Sequence, residues 1–232
     1  NGACVAYNPI VGGGANGCIL HYTENDAVLN SGELLLIDAG AELHGYASDI
    51  TRTFPVNGRF KPAQRAIYEL VLAAQHAALE RVQPGKHWNE PHDAAVRALT
   101  EGLVKLGILK GKVKDLIRKE SYKRFYMHRT GHWIGMDVHD CGDYRERTAL
   151  PDAEGALPWR TLRASMALTI EPGLYVRAAA DVPEAYWNIG IFIEDDAIVT
   201  EDGCVLITRD VPVEADAIEA LMREAGQEPS AV

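Results

Sequence analysis

Five side chains able to hold a metal ion through oxygen or nitrogen are spread along this chain: Asp38, Asp49, His132, Glu171 and Glu194. Taken singly, each has an ordinary structural explanation. Asp38 precedes Ala39-Gly40 and suits a turn, Asp49 stands three residues from Arg52, Glu171 precedes Pro172-Gly173, and Glu194 heads the acidic run Glu194-Asp195-Asp196, which has the composition of a solvated edge. The runs that carry them point elsewhere. Asp38 follows Leu34-Leu35-Leu36-Ile37, and Glu171 follows Ala167-Leu168-Thr169-Ile170, so both carboxylates emerge from strands with the composition of covered sheet. In the run from 189 to 194, Ile189, Ile191 and Ile193 share one face, and Phe192 and Glu194 share the other. A carboxylate in such a place keeps its charge only beside a partner, and no Lys or Arg lies close to Asp38, Glu171 or Glu194 on those strands. Cations from solution are the natural alternative. The four carboxylates balance two divalent ions and leave His132 as a neutral nitrogen ligand. An oxygen-rich set with one imidazole suits Mn²⁺, and also Co²⁺ or Zn²⁺. Two such ions, roughly 3.5–4 Å apart, acidify a water from about 15.7 toward about 7 and polarise a carbonyl, which is the chemistry of hydrolysis.

These ligands need rigid elements to hold them. The first third reads as antiparallel β, with strands at Cys18-Ile19-Leu20-His21-Tyr22, at residues 34–37 and from Gly45 through Thr51. Pro62 opens a helix with Ile67, Leu70, Val71 and Ala74 on one stripe, stopped by Gln83-Pro84-Gly85; a second carries Val96, Leu99, Leu103 and Leu106 and ends at Gly107. Strands return at residues 166–171, 189–194 and 204–207, separated by a polar, Pro-containing loop at 143–163, and a short helix at 214–224 closes the fold. With no short-period repeat and no dividing linker, the order hairpins, helices, hairpins indicates an α+β fold.

The chain of 232 residues is 47% hydrophobic, enough for a sizeable core without disulfide staples. Its four cysteines, Cys4, Cys18, Cys141 and Cys204, form no CxxC pair and read as reduced thiols of a cytoplasmic protein. A net charge of -10 argues against a nucleic-acid or anionic-membrane partner, both of which need a basic face, and no apolar run approaches membrane-spanning length.

Six runs carry a resemblance: His21-Tyr22-Thr23-Glu24-Asn25, Leu36-Ile37-Asp38-Ala39-Gly40, Asp49-Ile50-Thr51-Arg52-Thr53-Phe54-Pro55, the stretch His132-Trp133-Ile134-Gly135-Met136-Asp137-Val138-His139-Asp140, Glu171-Pro172-Gly173-Leu174-Tyr175 and Ile193-Glu194-Asp195-Asp196. Over nearly the whole chain, and in the same order, they resemble Xaa-Pro aminopeptidases (aminopeptidase P) and their relatives the prolidases. The resemblance implies the pita-bread fold shared with methionine aminopeptidases, two halves related by pseudo-symmetry with two metal ions between them. It implies that Asp49 and Glu194 bridge both ions, that Asp38 completes one site, and that His132 with Glu171 completes the other. His21, His128 and His139 match pocket positions that bind the scissile carbonyl, stabilise the developing oxyanion and relay protons, and Glu171 matches the base that takes a proton from the attacking water. Trp133, beside a ligand, is placed either as the floor of a proline pocket or in the core.

The implied activity is hydrolysis of the Xaa-Pro bond, releasing the first residue of peptides with proline second. A prolidase acting on Xaa-Pro dipeptides and a non-catalytic binding module of the same fold are the alternatives. Residues 1–226 are expected to form one catalytic domain and 227–232 a disordered tail; a homo-oligomer is expected. Two departures from the family pattern stand out. Phe192 occupies a position where the family usually has Arg, on the metal-facing side of its strand. The family's first helices and N-terminal domain have no counterpart here, and they are expected as a second polypeptide or as a part removed from a precursor.

Overall fold

The computed structural model describes residues 2–225, so the tail expected at 227–232 lies outside the described residues. Along the chain run β1 (Cys4–Val5), β2 (Ile10–Gly13), β3 (Leu34–Ala39), β4 (Ala41–Leu43), β5 (Tyr46–Ala47), β6 (Ile50–Pro55), α1 (Pro62–Leu79), α2 (Glu90–Lys105), α3 (Val113–Arg118), β7 (Ala167–Ile170), β8 (Gly173–Val176), β9 (Ile189–Phe192), β10 (Asp195–Val199), β11 (Cys204–Leu206) and α4 (Ala215–Ala225). No helix among the described residues is long and apolar enough to cross a membrane.

Two three-stranded antiparallel sheets carry the candidate ligands. In the first, β3 lies between β2 and β6, and its apolar run Leu34-Leu35-Leu36 is buried as a central strand requires. In the second, β10 lies between β11 and β7. A hairpin of β8 and β9 stands beside them, and β1, β4 and β5 form a small outlying sheet. The two main sheets are joined where Thr51 and Glu194 form an antiparallel bridge.

The helices cover this platform. Pro62 occupies the first turn of α1, where a missing N–H leaves no bond unmade, and the Lys61 N–H donates to Gln64 Oε1 at 2.8 Å. Ile67, Val71, Ala74 and Ala78 bury one stripe of α1, and Ala95, Val96, Leu99 and Leu103 bury one stripe of α2; all belong to one core shared with the second sheet. Gln75, also fully buried on α1, reaches the sheet and donates to Ile170 O at 3.2 Å and Asp195 Oδ2 at 3.0 Å.

One expectation is corrected, and one ordinary explanation is excluded. Residues 18–22 are not a strand: Gly14–Cys18 is a short 3-10 turn followed by irregular chain. The cause is a backbone crossing, because Gly17 lies against Gly190 of β9 and a Cβ at Gly190 would stand 2.1 Å from Gly17 O. The run Glu194-Asp195-Asp196 is not a solvated edge either, since these residues are only 2, 0 and 1% exposed. Asp195 is neutralised in place by Arg52 Nη2 at 2.7 Å and Arg209 Nη2 at 2.8 Å. Strands β8 and β10 and helix α3 were not foreseen, whereas the loop at 143–163 holds no helix or strand beyond isolated bridges.

Candidate metal centre

Each candidate ligand leaves its element at the seam between the two sheets. Asp38 is the fifth residue of β3, paired across the ladder with Ile10 and Thr51. Asp49 precedes β6, and its backbone N–H donates to Asp196 Oδ2 at 3.0 Å. Glu194 occupies the junction between β9 and β10; its N–H donates to Thr51 O at 3.0 Å, and its Oε2 accepts the Thr51 hydroxyl at 2.7 Å. Glu171 follows β7, its N–H bonded to Thr130 O at 2.9 Å and its Oε1 accepting the Thr169 hydroxyl at 3.2 Å. His132 reaches the cluster because its segment lies directly on β7: its N–H meets Thr169 Oγ1, and Trp133 bridges to Leu168. Only glycine fits at 131, where a Cβ would stand 2.2 Å from Thr169 O.

Ligand atoms of Asp49, His132 and Glu194 all lie within 4.8 Å of one another. His132 Nε2 is 3.4 Å from Asp49 Oδ2 and 3.8 Å from Glu171 Oε1. Its other ring nitrogen, Nδ1, lies 2.9 Å from Trp133 O; a carbonyl only accepts, so Nδ1 carries a hydrogen, and Nε2 is the ring nitrogen turned toward the carboxylates and left for a metal ion. Asp38 joins through Tyr7, whose hydroxyl lies 2.5 Å from both Asp38 Oδ1 and Asp49 Oδ1. Sequence reasoning missed Tyr7, which nothing in its local pattern marks. It also missed Asp196, although alternation from Glu194 put it within reach.

Among the described residues, none of the four carboxylates is paired with a lysine or arginine. Arg52, the sequence neighbour of Asp49, pairs with Asp195 instead and gives Glu194 only a bond to its backbone carbonyl, at 2.6 Å. The electrostatic consequence is plain. Burial and then the Asp49 charge push Asp38 up to about 7, and burial pushes Glu171 up to about 8 and Glu194 well above the carboxylate range. At His132 burial works against the imidazolium, but the Asp49 hydrogen bond and the Glu171 charge outweigh it and raise the ring to about 9. These acids need positive charge, and an oxygen-rich cluster with one available imidazole nitrogen fits divalent cations.

All eight residues singled out from the sequence border one cavity of about 610 Å³. His128 stands beside Glu171, with Nδ1 3.7 Å from Glu171 Oε2, donates from Nδ1 to Arg129 O at 2.7 Å, and accepts the Tyr175 hydroxyl at Nε2 at 2.8 Å. The His139 ring meets that of His132 edge-on at 4.3 Å, and burial holds its pKa below the usual value. His21 borders the same space, and so does Phe192, 5.2 Å from the His128 ring. Trp133 does not floor this cavity. It packs in the core against Trp88 at 4.1 Å, and it is Trp88 and Trp159 that border the open space.

An α+β platform that gathers buried, uncompensated carboxylates and an imidazole at the floor of an open cavity has the chemistry of a metal-binding site. Residues 1–201 match metallopeptidase family M24, and the chain belongs to that family. It is 52% identical over 217 residues to the Xaa-Pro aminopeptidase of Haemophilus influenzae, covering 94% of this chain and 48% of that protein. To the Xaa-Pro aminopeptidase of Escherichia coli it is 50% identical over 217 residues, covering 94% and 47%. Among solved structures, Pseudomonas aeruginosa aminopeptidase PepP superposes with a TM-score of 0.91 at 54% identity, covering 97% of this chain and 49% of that one. Proline aminopeptidase P II from Yersinia pestis gives 0.88 at 52%, covering 95% and 48%. The fold is therefore the pita-bread fold of aminopeptidase P, and the chain spans about half the length of the curated relatives it matches.

Proposed function

We propose that this chain carries the metal centre of a proline-directed aminopeptidase, which hydrolyses the Xaa-Pro bond and releases the first residue of peptides with proline second. The observation that carries the reading is the gathering of Asp49, His132 and Glu194 within 4.8 Å, with Asp38 and Glu171 alongside. Relatives named Xaa-Pro aminopeptidase, at half identity across nearly the whole of this chain, support the substrate class. Asp49 and Glu194 would bridge two ions, Asp38 completing one site and His132 with Glu171 the other. Two divalent ions, manganese being favoured by the oxygen-rich set over cobalt or zinc, would acidify a water and polarise the scissile carbonyl.

The remaining steps belong to the protein. Glu171, oriented by the Thr169 hydroxyl, takes the proton of the attacking water. The scissile nitrogen of an Xaa-Pro bond has no hydrogen and must gain one to leave. His21, His128 and His139 border the cavity that receives it; His21 and His139 supply donors for the carbonyl oxygen, and His128 with the Tyr175 hydroxyl forms a relay for that proton. His128 is held in one orientation by Tyr175, whose hydroxyl stays protonated because burial raises its pKa well above the usual value. Phe192, Tyr175 and His128 offer ring surface to a pyrrolidine.

A peptide panel with and without Mn²⁺, run beside metal analysis, tests this. Expected are two ions per chain and metal-dependent release of the first residue from Xaa-Pro-Xaa tripeptides. Cleavage of Xaa-Pro dipeptides alone would make the protein a prolidase, and a metal-loaded protein that cleaves neither would refute the reading.

A further inference from the structure

The outer end of the cavity differs chemically from its floor. Arg129 borders it together with Trp88, Tyr144 and Trp159. While the preceding His128 turns inward to Glu171, the Arg129 side chain turns to the opposite wall. There its Nη2 donates to Asn89 Oδ1 and its guanidinium carbon lies 5.3 Å from the centre of the Trp159 ring. A second guanidinium, that of Arg145, stacks on the same ring at 3.2 Å and donates to Leu157 O at 2.7 Å. Among the described residues, neither guanidinium has a carboxylate partner. In a chain of net charge -10, two cations without counter-charges flank one indole at the edge of a cavity floored by carboxylates.

We propose that Arg129 is a specificity residue that binds a substrate carboxylate on the leaving-group side of the scissile bond, with Asn89 and Trp159 positioning it and Arg145 adding to the local positive potential. The proposal rests on the peptidase reading above. A peptide substrate brings an ammonium at its N-terminus, which the two guanidiniums repel, and a carboxylate at its C-terminus, which they attract, so the cationic end of the cavity suits the C-terminal part of the peptide. A planar guanidinium already held by Asn89 and lying within cation–π reach of Trp159 offers its remaining N–H groups as a fork matched to a carboxylate and loses little freedom on binding. That carboxylate has two sources: the free C-terminus of a short peptide, or an Asp or Glu side chain of a longer one.

The test compares kcat/KM of the full-length, manganese-loaded protein on an Xaa-Pro-Ala acid and its amide, which reads the first source. An amidated Xaa-Pro-Glu and Xaa-Pro-Gln pair reads the second. Wild type is expected to prefer the charged member of at least one pair on the order of five- to tenfold, mainly through KM. Arg129→Ala should bring that ratio to about one, Arg129→Lys should keep part of it, and Arg129→Glu should invert it, a response to charge that a structural role would not produce. Equal ratios in wild type and Arg129→Ala, with Xaa-Pro cleavage intact, would overturn the anchor alone. If no Xaa-Pro peptide is cleaved, the peptidase reading falls and the anchor with it.

Discussion

Thr51 holds Glu194 twice, through its carbonyl oxygen to the Glu194 N–H at 3.0 Å and through its hydroxyl to Oε2 at 2.7 Å. This pair closes the bridge between the two main sheets, so one threonine sets both the backbone and the carboxylate of a candidate bridging ligand. Thr51→Val keeps the shape and β propensity but removes the hydroxyl. Partners of metal ligands typically contribute 10–100-fold to affinity. The variant is expected to bind Mn²⁺ on the order of tenfold more weakly and to lose about 1 kcal/mol of stability. Calorimetric titration with Mn²⁺ checks the first figure and urea unfolding the second; unchanged affinity would remove Thr51 from the metal site.

Metal removal should reverse the ordinary pH response of this protein. With Asp38 raised to about 7 and Glu171 to about 8, the metal-free fold keeps protons that the unfolded chain has already released. His132, raised to about 9, acts in the same sense, because its folded form stays charged above the usual histidine pKa. Each of these contributions is complete at low pH and is lost as pH climbs through the folded value, so stability of the metal-free protein falls from pH 6.5 to 9. Thermal unfolding in a chelator should give a lower Tm at pH 8.5 than at pH 6.5, with saturating Mn²⁺ removing most of the difference. A Tm that rises over that interval without metal would contradict the electrostatics described.

Much of this site was legible because strand composition reports burial. Leu34-Leu35-Leu36-Ile37 marks a covered strand, and a carboxylate at its end already raises the question of a counter-charge. The alternation from Ile189 to Glu194 placed Phe192 and Glu194 on the cavity side, where both lie. What stayed hidden depends on distant partners. Asp195 looks solvated until Arg52 is folded against it from 143 positions away. Tyr7 acquires a role only where β3 and β6 bring Asp38 and Asp49 together around its hydroxyl. Residues 18–22 have strand composition, yet the glycine crossing at Gly17 and Gly190 takes them out of any ladder.

On the far side of Glu171, His92 is neutral and buried, its Nδ1 2.8 Å from Thr130 Oγ1, and burial lowers its pKa to about 3. The unfolded chain takes up this proton near pH 6.5 and the fold does not, so the stability it contributes is present above pH 6.5 and is lost as pH falls toward 3. Thr130 keeps a second hydroxyl partner, Tyr126 at 2.5 Å, and its carbonyl holds the Glu171 N–H. His92→Leu should therefore fold, cost about 1–2 kcal/mol at pH 7, and lose less stability than wild type between pH 6.5 and 4. Parallel urea midpoints at both pH values decide it, and identical slopes would clear His92 of any part in acid sensitivity.

Phe192 stands where the resemblance read from the sequence leads to the expectation of an arginine. Its backbone is pinned, the N–H donating to Thr53 Oγ1 and the carbonyl accepting from the same hydroxyl, both at 3.0 Å. The ring packs on Ile10, Tyr22 and Leu36 and turns an edge toward His128 and Tyr175. Phe192→Arg would therefore leave the strand in place and deliver a permanent cation beside acids that, among the described residues, have no lysine or arginine partner. A guanidinium there competes with divalent ions for the same carboxylates and removes apolar surface from the cavity wall. The variant is expected to change kcat or Mn²⁺ affinity at least several-fold, on the order of a 1 kcal/mol perturbation, and to raise KM for Xaa-Pro peptides. Metal titration beside full kinetics separates the two effects, and kinetics and affinity both indistinguishable from wild type would show that the aromatic ring at 192 is inert.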